Sequence, residues 1–258
     1  MDRFGPHIRS PQKTRADPTH RQADAAQLNE TTAIDIHTAK DTRAEDGVAE
    51  DGVAEDGVTQ FRLLFHRVAP PAAWQLSELR HWRNRLVELD VVGQNLNRYT
   101  GIGFGNLSTR HPGRPGAFII TGTQTGAREK LSAHDFAVVT QVDIARNQVV
   151  AHGGTAPSSE AMTHAVLYQA DAAIAWVFHG HAPTLWSAAE RLHIASTPAD
   201  VGYGTQEMAL AVRALRERHP QLPALIRMGG HEDGIIAFGR TADSTGRLFE
   251  DALARARW

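Results

Sequence analysis

The pattern of apolar and polar positions divides the chain at about residue 60. Residues 1–60 are polar, poor in large apolar side chains, and end in three copies of Ala-Glu-Asp-Gly-Val at 44–48, 49–53 and 54–58. A five-residue repeat fits neither the helical nor the strand period, and such a composition buries too little apolar surface to offset chain entropy. We therefore predict a disordered acidic tail over 1–60 and a folded domain over 61–258. One interpretation of the tail is an acidic segment that recruits a partner. We prefer the interpretation that it has no function and arose from expansion of the repeat or from a misassigned start codon.

Helical periodicity recurs along the folded part. Leu79, Trp82, Leu86 and Leu89 are spaced by three or four residues, which predicts a helix over 78–89 with Ser77 as its N-cap. The same reasoning predicts further helices over 157–169, about 184–192, 208–218, and from a Ser244 cap to the end.

Short apolar runs predict strands between these helices. The runs cover 117–121, a hairpin of 136–139 with 147–150, 172–178, and a pair of 225–228 with 234–238. Strands that pair locally with helices interspersed indicate an α/β domain whose sheet is layered by helices.

Composition excludes several classes of partner. The 258 residues carry a formal net charge of -2 and no cysteine, with a pI near 6.7. No basic stripe favours nucleic acid, and no run approaches the roughly 20 apolar residues that a membrane span needs. The start of the chain does not resemble a secretory signal, so we expect a cytoplasmic protein. Without thiolates, any metal must be bound by His, Asp, Glu or water.

Two histidines follow the apolar run that ends at Phe178. His179 and His181 are two residues apart, so in a strand both project from one face and could bind a single ion. Taken alone, a His-x-His pair is more often structural.

A third histidine lies in the turn between the last two predicted strands. Gly229 and Gly230 precede His231 and allow a tight bend toward another element. Three histidines meet the ligand count of a catalytic Zn²⁺ with an open position. By itself His231 is better interpreted as a turn residue.

A carboxylate and two hydroxyls lie at the predicted start of the helix over 157–169. Glu160 shares a helical face with His164 and Tyr168 and could serve as a general base beside a cation. Ser158 and Ser159 could bind an anion with the helix N-terminus. The alternative for this segment is an ordinary N-terminal cap.

Two glycine-bearing segments complete the candidate site. Residues 101–108 fail the context of a dinucleotide loop, because they follow a helix and have Asn106 where a glycine is required. Residues 121–126 (Thr-Gly-Thr-Gln-Thr-Gly) suit an oxyanion or an ordinary turn.

Together these segments resemble the class II aldolase/adducin family, in the same order along the chain. The resemblance spans Leu76 to the C-terminus and rests on five motifs: Gly-Asn-Leu-Ser at 105–108, Ile-Thr-Gly-Thr-Gln-Thr-Gly at 120–126 with Glu-Lys-Leu at 129–131, Pro-Ser-Ser-Glu at 157–160, the strand 177–181, and His231.

The resemblance implies a site and a fold. It implies Zn²⁺ on His179, His181 and His231, with Glu160 as acid/base. It assigns the phosphate of a ketose phosphate to Asn106, Thr125, Gly126, Ser158 and Ser159. It further implies a three-layer α/β/α arrangement around a largely antiparallel sheet, and a homotetramer.

The chain departs from the family pattern at three places. The loop 122–126 is one residue longer and lacks a proline, and Glu232 and Asp233 separate His231 from its glycine. Either carboxylate could accept a hydrogen bond from a ligand histidine. Little C-terminal tail is available to supply an acid tyrosine, and Tyr203 is a possible replacement, with a packed turn residue as the alternative.

We therefore expect a zinc-dependent lyase that cleaves a small ketose or ketose phosphate through an enediolate. The sequence leaves open an epimerase, decarboxylase or dehydratase on the same scaffold, a substrate without phosphate, and a non-catalytic adducin-like assembly module.

Overall fold

The computed structural model describes residues 50–52 and 60–258. Its strands are β1 (Glu50–Gly52), β2 (Arg62–Arg67), β3 (Gly93–Gln94), β4 (Gly103–Phe104), β5 (Asn106–Arg110), β6 (Phe118–Thr121), β7 (Phe136–Asp143), β8 (Gln148–Gly153), β9 (Trp176–His181), β10 (Ala195–Ser196), β11 (Ala224–Arg227) and β12 (Gly234–Gly239). Its α-helices are α1 (Ser77–Glu88), α2 (Ala161–Ala170), α3 (Pro183–Ser187), α4 (Gln206–Arg218) and α5 (Ala242–Ala256).

A single large sheet organises the described part of the chain. Ten strands pair in the order β1-β2-β8-β7-β6-β5-β9-β12-β11-β10, and β3 pairs with β4 separately. Within the large sheet only β2–β8 and β10–β11 are parallel, which confirms the α/β class with a largely antiparallel sheet. Strand β9 lies between β5 and β12, so it is paired on both edges. None of the helices described here combines the length and apolar character that crossing a membrane requires.

Apolar side chains of the sheet belong alternately to two separate core clusters. Val177 of β9 packs in one cluster with residues of α2 and α4, and the next residue, Phe178, packs in the other with residues of α1 and α5. This alternation is the period of two that a strand imposes. His179 and His181 therefore project on the Val177 side.

Three predicted helix starts were wrong by a few residues. Ser77 lies inside α1 and its hydroxyl donates to Trp74 O, because the preceding 3₁₀ turn already runs into the helix. Pro157 forms a β-bridge with Gly122, so α2 begins only at Ala161. The N-cap of α5 is Thr241, whose hydroxyl accepts from the Ser244 N–H at 3.1 Å.

Other predicted bounds were too long. Strand β9 starts at Trp176, because 172–175 form a turn and coil, and α3 ends at Ser187, after which 188–193 continue as turns. The predicted hairpin is β7–β8, and the predicted pair around His231 is β11–β12.

The predicted tail falls almost entirely outside the described residues. Its only described parts are Gln60 and β1, whose backbone pairs antiparallel with β2. For the rest of 1–60, disorder stays a prediction, as does the domain boundary at 61.

Candidate metal centre and active site

The histidine pair lies at the end of the central strand. In β9, His179 is the Cα partner of Asn106 on one side and of Ile236 on the other. Gly180, between the histidines, faces the opposite side, where an added Cβ would overlap Val91 Cγ1 and lie 2.9 Å from Val91 O. The intervening position must therefore be glycine for the strand to keep its place and aim both imidazoles to one side.

His231 reaches the pair from the turn between β11 and β12. At Gly229 a Cβ would overlap Thr197 O, and at Gly230 it would overlap Val201 O, so the two glycines allow close approach to the segment 197–201. The His231 N–H donates to Met228 O at 3.1 Å across the two glycines, so they form the tight bend that we expected and also allow this close approach.

The three histidines converge, as predicted. The rings lie 4.6 to 5.2 Å apart between centroids. One nitrogen from each ring can be chosen so that all lie within 4.8 Å of one another, and all three residues are buried. Among the described residues this is the one cluster of three or more such groups with spacing suited to a metal ion.

All three imidazoles are held neutral by burial. Desolvation lowers the pKa of His179 to about 4, and it lowers the pKa values of His181 and His231 well below the usual range. The ring nitrogen Nδ1 of His179 donates to Ile235 O at 3.1 Å, since a carbonyl can only accept. Its Nε2 lone pair is then available to bind a metal ion.

Glu160 completes the cluster. It is the N-cap residue of α2, one position before the first turn, and its Oε1 lies 3.5 Å from His231 Nδ1. Burial raises the pKa of Glu160 to about 7, opposed only in part by the Thr163 hydroxyl and the Gly204 N–H. Neither carboxylate oxygen has a hydrogen-bond partner of normal geometry. A buried carboxylate without partners calls for a proton or a cation close by.

These groups open into one cavity of about 450 Å³. All ten predicted site residues line it: Asn106, Thr125, Gly126, Ser158, Ser159, Glu160, His179, His181, Tyr203 and His231. The structure therefore brings the predicted set together in one cavity. The three histidines and Glu160 share its lining with side chains that carry hydroxyls or amides and with glycine.

The wall formed by 122–126 is held from behind by an arginine that the sequence reasoning missed. The buried Arg83 guanidinium donates to the carbonyls of Thr125 and Gly126 at 3.3 Å each, and to Glu129 O at 3.0 Å and Arg128 O at 2.5 Å. Within the turn, the Thr125 hydroxyl donates to Gly122 O at 2.9 Å. Gly126 has no room for a side chain, since a Cβ would overlap Gly93 O.

His164 and Tyr168, which we predicted to share a helical face with Glu160, are not among the residues that line the cavity. Both bond to the buried Ser108 hydroxyl at 2.7 Å, His164 through Nδ1 and Tyr168 through its hydroxyl. They form a polar network in the core beside the metal-ligand candidates.

Tyr99 is a cavity residue that no sequence pattern indicated. Its ring meets His181 edge to face at 4.6 Å, and its hydroxyl donates to Asp233 Oδ2 at 2.6 Å. We had expected Glu232 or Asp233 to bond a ligand histidine, but Asp233 instead accepts from this tyrosine. Tyr203 stacks on His231 at 4.7 Å and is 37% exposed.

Comparisons with known proteins agree with this architecture. The sequence model of the family described as Class II Aldolase and Adducin N-terminal domain matches residues 94–256. A search of the curated proteins found no significant match.

Solved structures with a similar fold include several aldolases. An L-fuculose 1-phosphate aldolase has 22% identity and a TM-score of 0.55, covering 73% of this chain and 85% of that one. L-fuculose-1-phosphate aldolase from Thermus thermophilus has 18% identity and a TM-score of 0.52, covering 72% and 92%. Sugar-phosphate aldolase from Thermotoga maritima has 15% identity and a TM-score of 0.54, covering 70% and 90%. At these identities the likeness shows the fold.

The buried Glu160 predicts an unusual pH dependence for metal-free protein. Above its ordinary pKa of 4.5 the unfolded carboxyl loses its proton, whereas the folded one keeps it up to about pH 7. The folded state binds more protons in this window, so the Glu160 contribution to the free energy of unfolding falls as pH rises. Glu160→Gln removes this contribution, so the variant should gain about 3 kcal/mol relative to wild type between about pH 4.5 and 7.5.

Urea denaturation of metal-stripped protein across this range measures the difference. The other ionisable groups are the same in both proteins, so a pH dependence of the difference reports Glu160 together with its coupling to His231, 3.5 Å away. Glu217→Gln, at a side chain 61% exposed, is the control and should show no such trend. A constant difference between Glu160→Gln and wild type would contradict the prediction.

Proposed function

Since this chain belongs to the Class II Aldolase and Adducin N-terminal domain family, we propose that it is a zinc-dependent lyase. Its reaction would be retro-aldol cleavage of a small ketose or ketose phosphate through an enediolate. The observation that carries the proposal is the convergence of three buried neutral imidazoles with Glu160, whose carboxylate lies 3.5 Å from His231 Nδ1.

The residues present fit a zinc ion. Zinc in catalytic sites takes three protein ligands and keeps a position open, and neutral imidazole is a preferred ligand. Both oxygens of Glu160 are buried beside His231 without a hydrogen-bond partner of normal geometry, and a cation at the three imidazoles would offset their charge. In this proposal His179, His181 and His231 would bind the ion. When bound, Zn²⁺ would supply a Lewis acid for the substrate carbonyl.

Proton transfer falls to the groups around this centre. In cleavage, the carbon–carbon bond breaks and its electron pair passes into the carbonyl, which leaves an enediolate and an aldehyde. Glu160 would deliver a proton to the enediolate carbon, since a pKa of about 7 lets it both give and take a proton near neutrality. Tyr203, stacked on His231 at the cavity wall, would relay the proton of the hydroxyl that becomes the aldehyde oxygen, and would pass its own phenolic proton to solvent as it accepts this one.

Five further residues of the cavity lining would bind the phosphate of the substrate. They are Asn106, Thr125, Gly126, Ser158 and Ser159. The Ser158 oxygen accepts from the Glu160 N–H at 3.4 Å, which leaves its own hydrogen for an anion. Asn106 is buried beside His179, and its side-chain NH₂ group can donate to an oxyanion. Hydroxyls and amides of this kind are ordinary phosphate donors.

A ketose without phosphate is the second candidate. Neither lysine nor arginine is among the residues that line the cavity, whereas Glu160 and Glu232 both are. Two carboxylates and no cationic side chain disfavour a dianion unless the metal offsets them.

Other reactions of the scaffold share this site. An epimerase, decarboxylase or dehydratase would use the same metal and enediolate chemistry. A non-catalytic assembly module would have no need for three converging imidazoles and a buried Glu160, so these residues favour an enzyme. The homotetramer, the three-layer α/β/α arrangement and the cytoplasmic location belong to the same proposal.

The metal content of the purified protein tests whether the three converging histidines bind zinc. Protein loaded with Zn²⁺ and desalted should retain about one zinc per chain, measured by elemental analysis. His179→Ala should lose it, because a central ligand is removed. His219→Ala, at an exposed histidine outside the cavity, is the matched control and should retain the metal. Wild type without zinc would contradict the proposal.

Glu160→Gln tests the assignment of the acid/base. The variant should keep its zinc but lose exchange of the proton at the carbon next to the substrate carbonyl by about 10²- to 10⁴-fold, as is typical when a general base is removed. Exchange into deuterated water over a panel of ketoses and ketose phosphates, followed by NMR, measures it, and cleavage products identify the reaction. Unchanged exchange in Glu160→Gln, with Glu217→Gln as control, would refute this role.

Inorganic phosphate distinguishes the two substrate candidates. If the substrate is phosphorylated, about 10 mM phosphate should raise the melting temperature of zinc-loaded protein, because it binds only the folded state. Ser158→Ala should reduce the shift, whereas Ser196→Ala, at an exposed serine, should not. Equal behaviour of wild type and Ser158→Ala would favour the ketose without phosphate.

A further inference from the structure

One side chain connects the two chain segments that bring histidines to the centre. The Tyr99 ring meets the His181 ring at 4.6 Å with an interplanar angle of 67°. Its hydroxyl donates to Asp233 at 2.6 Å, across 134 positions of sequence. Asp233 lies two residues after His231, in the same turn. Tyr99 thus contacts the end of β9 through its ring and the His231 turn through its hydroxyl.

From this arrangement we propose that Tyr99 is a positioning residue of the metal centre, which ties the His231 turn to the His181 ring and fixes their relative geometry. The inference rests on the proposed function and assigns a role to a residue outside the ligand set. It also gives a role to Asp233, one of the two residues by which this turn departs from the family pattern.

The orientation of His181 needs such a device. A metal-binding histidine usually donates its second ring nitrogen to a carboxylate or carbonyl, which fixes the ring. His179 does so with Ile235 O. His181 Nδ1 is buried and has no hydrogen-bond partner, and its ring instead packs against Tyr99 and, at 5.6 Å, against Phe104. Aromatic contacts therefore fix the ring orientation of His181, as a hydrogen bond fixes that of His179.

An arginine holds the tyrosine in place. Arg98 Nη2 donates to the Tyr99 hydroxyl at 2.7 Å, and its Nη1 forms an ion pair with Asp90 at 2.8 Å. The guanidinium also lies over the Phe104 ring at 4.6 Å. Bonded to Arg98 and Asp233 together, the hydroxyl has little freedom to act on substrate, so its effect is exerted through position.

The backbone at this tie is strained on both sides. Tyr99, Thr100 and Asp233 have φ angles of 50°, 56° and 61°, in the left-handed region that residues with a side chain seldom adopt. Such conformations cost on the order of 1 kcal/mol or more and persist where the surrounding contacts impose them. The Tyr99 side chain joins two of these positions, since its hydroxyl donates to Asp233 at 2.6 Å.

Substitutions can separate the two ends of the tie. Tyr99→Leu removes the ring and the hydroxyl. Tyr99→Phe keeps the ring and removes the hydroxyl with its bonds to Asp233 and Arg98. Asp233→Asn keeps an oxygen that can still accept. The readout is binding of Co²⁺ in place of zinc, since its visible spectrum reports ligand geometry. We expect Tyr99→Leu to change the spectrum and to weaken metal binding about 10- to 100-fold, as loss of a residue that orients a ligand does.

The remaining variants define how the tie acts. Tyr99→Phe should lose less affinity than Tyr99→Leu, and Asp233→Asn should behave as wild type. If Tyr99 acts through Asp233, the effects of Tyr99→Phe and Asp233→Ala should not add in the double variant. Tyr168→Phe is the matched control, because it removes a buried hydroxyl bonded to Ser108 outside the cavity. It should lower thermal stability without changing the Co²⁺ spectrum.

Two results would overturn the inference. One is a Tyr99→Leu protein with wild-type metal affinity and spectrum. The other is a loss of affinity in Tyr168→Phe equal to that in Tyr99→Phe, which would indicate general destabilisation. A wild-type protein that binds neither Zn²⁺ nor Co²⁺ would instead overturn the proposed function itself.

Discussion

The antiparallel pairing of β9 with β12 is the constraint on which the candidate site depends. It places Gly234 opposite His181 and Ile236 opposite His179, so the turn that precedes β12 must begin beside the histidine pair. His231 lies three residues before that strand, so this register brings the turn that carries it close to the pair. A shift of one residue would turn the imidazoles to the other face of the sheet, where Phe178 and Gly180 now pack. Gly180, which fits against Val91 only without a side chain, secures that register.

Burial then determines the electrostatic character of the site. Three imidazoles and a carboxylate lie out of water, and burial disfavours the charged form of every one of them. Protons therefore do not compete with a cation for the histidines at neutral pH. A divalent ion can be bound by the neutral nitrogens and would at the same time favour the ionised form of Glu160. Burial of these groups therefore destabilises the metal-free folded state, and the same burial keeps the imidazole nitrogens unprotonated and able to bind a cation.

Much of this was predictable from the sequence, because it follows from local periodicity. The strand period gives one face to His179 and His181, and glycines before His231 mark a close approach. The predictions failed at positions whose structure depends on contacts with residues far away in the sequence. The start of α2 is displaced because Pro157 bridges to Gly122, and Arg83 reads as one more charge on an amphipathic helix although it is buried against the carbonyls of 125–129. Tyr99 lies in a polar loop without periodicity, and its bond to Asp233 spans 134 positions.

The cavity is thereby built from two kinds of wall. One part of the lining is held by the sheet, where His179 and Asn106 are cross-strand partners, and Arg83 donates hydrogen bonds to the loop 122–126. Other lining residues lie in loops, among which Tyr99, Thr100 and Gln124 have positive φ angles between 50° and 56°. Gln124 belongs to the lengthened loop, and Tyr99 is bonded to the lengthened turn of His231. These two departures from the family pattern thus lie in loops, whereas Asn106, His179 and His181 belong to strands of the sheet. Loops of this kind can vary without moving the residues that the strands position.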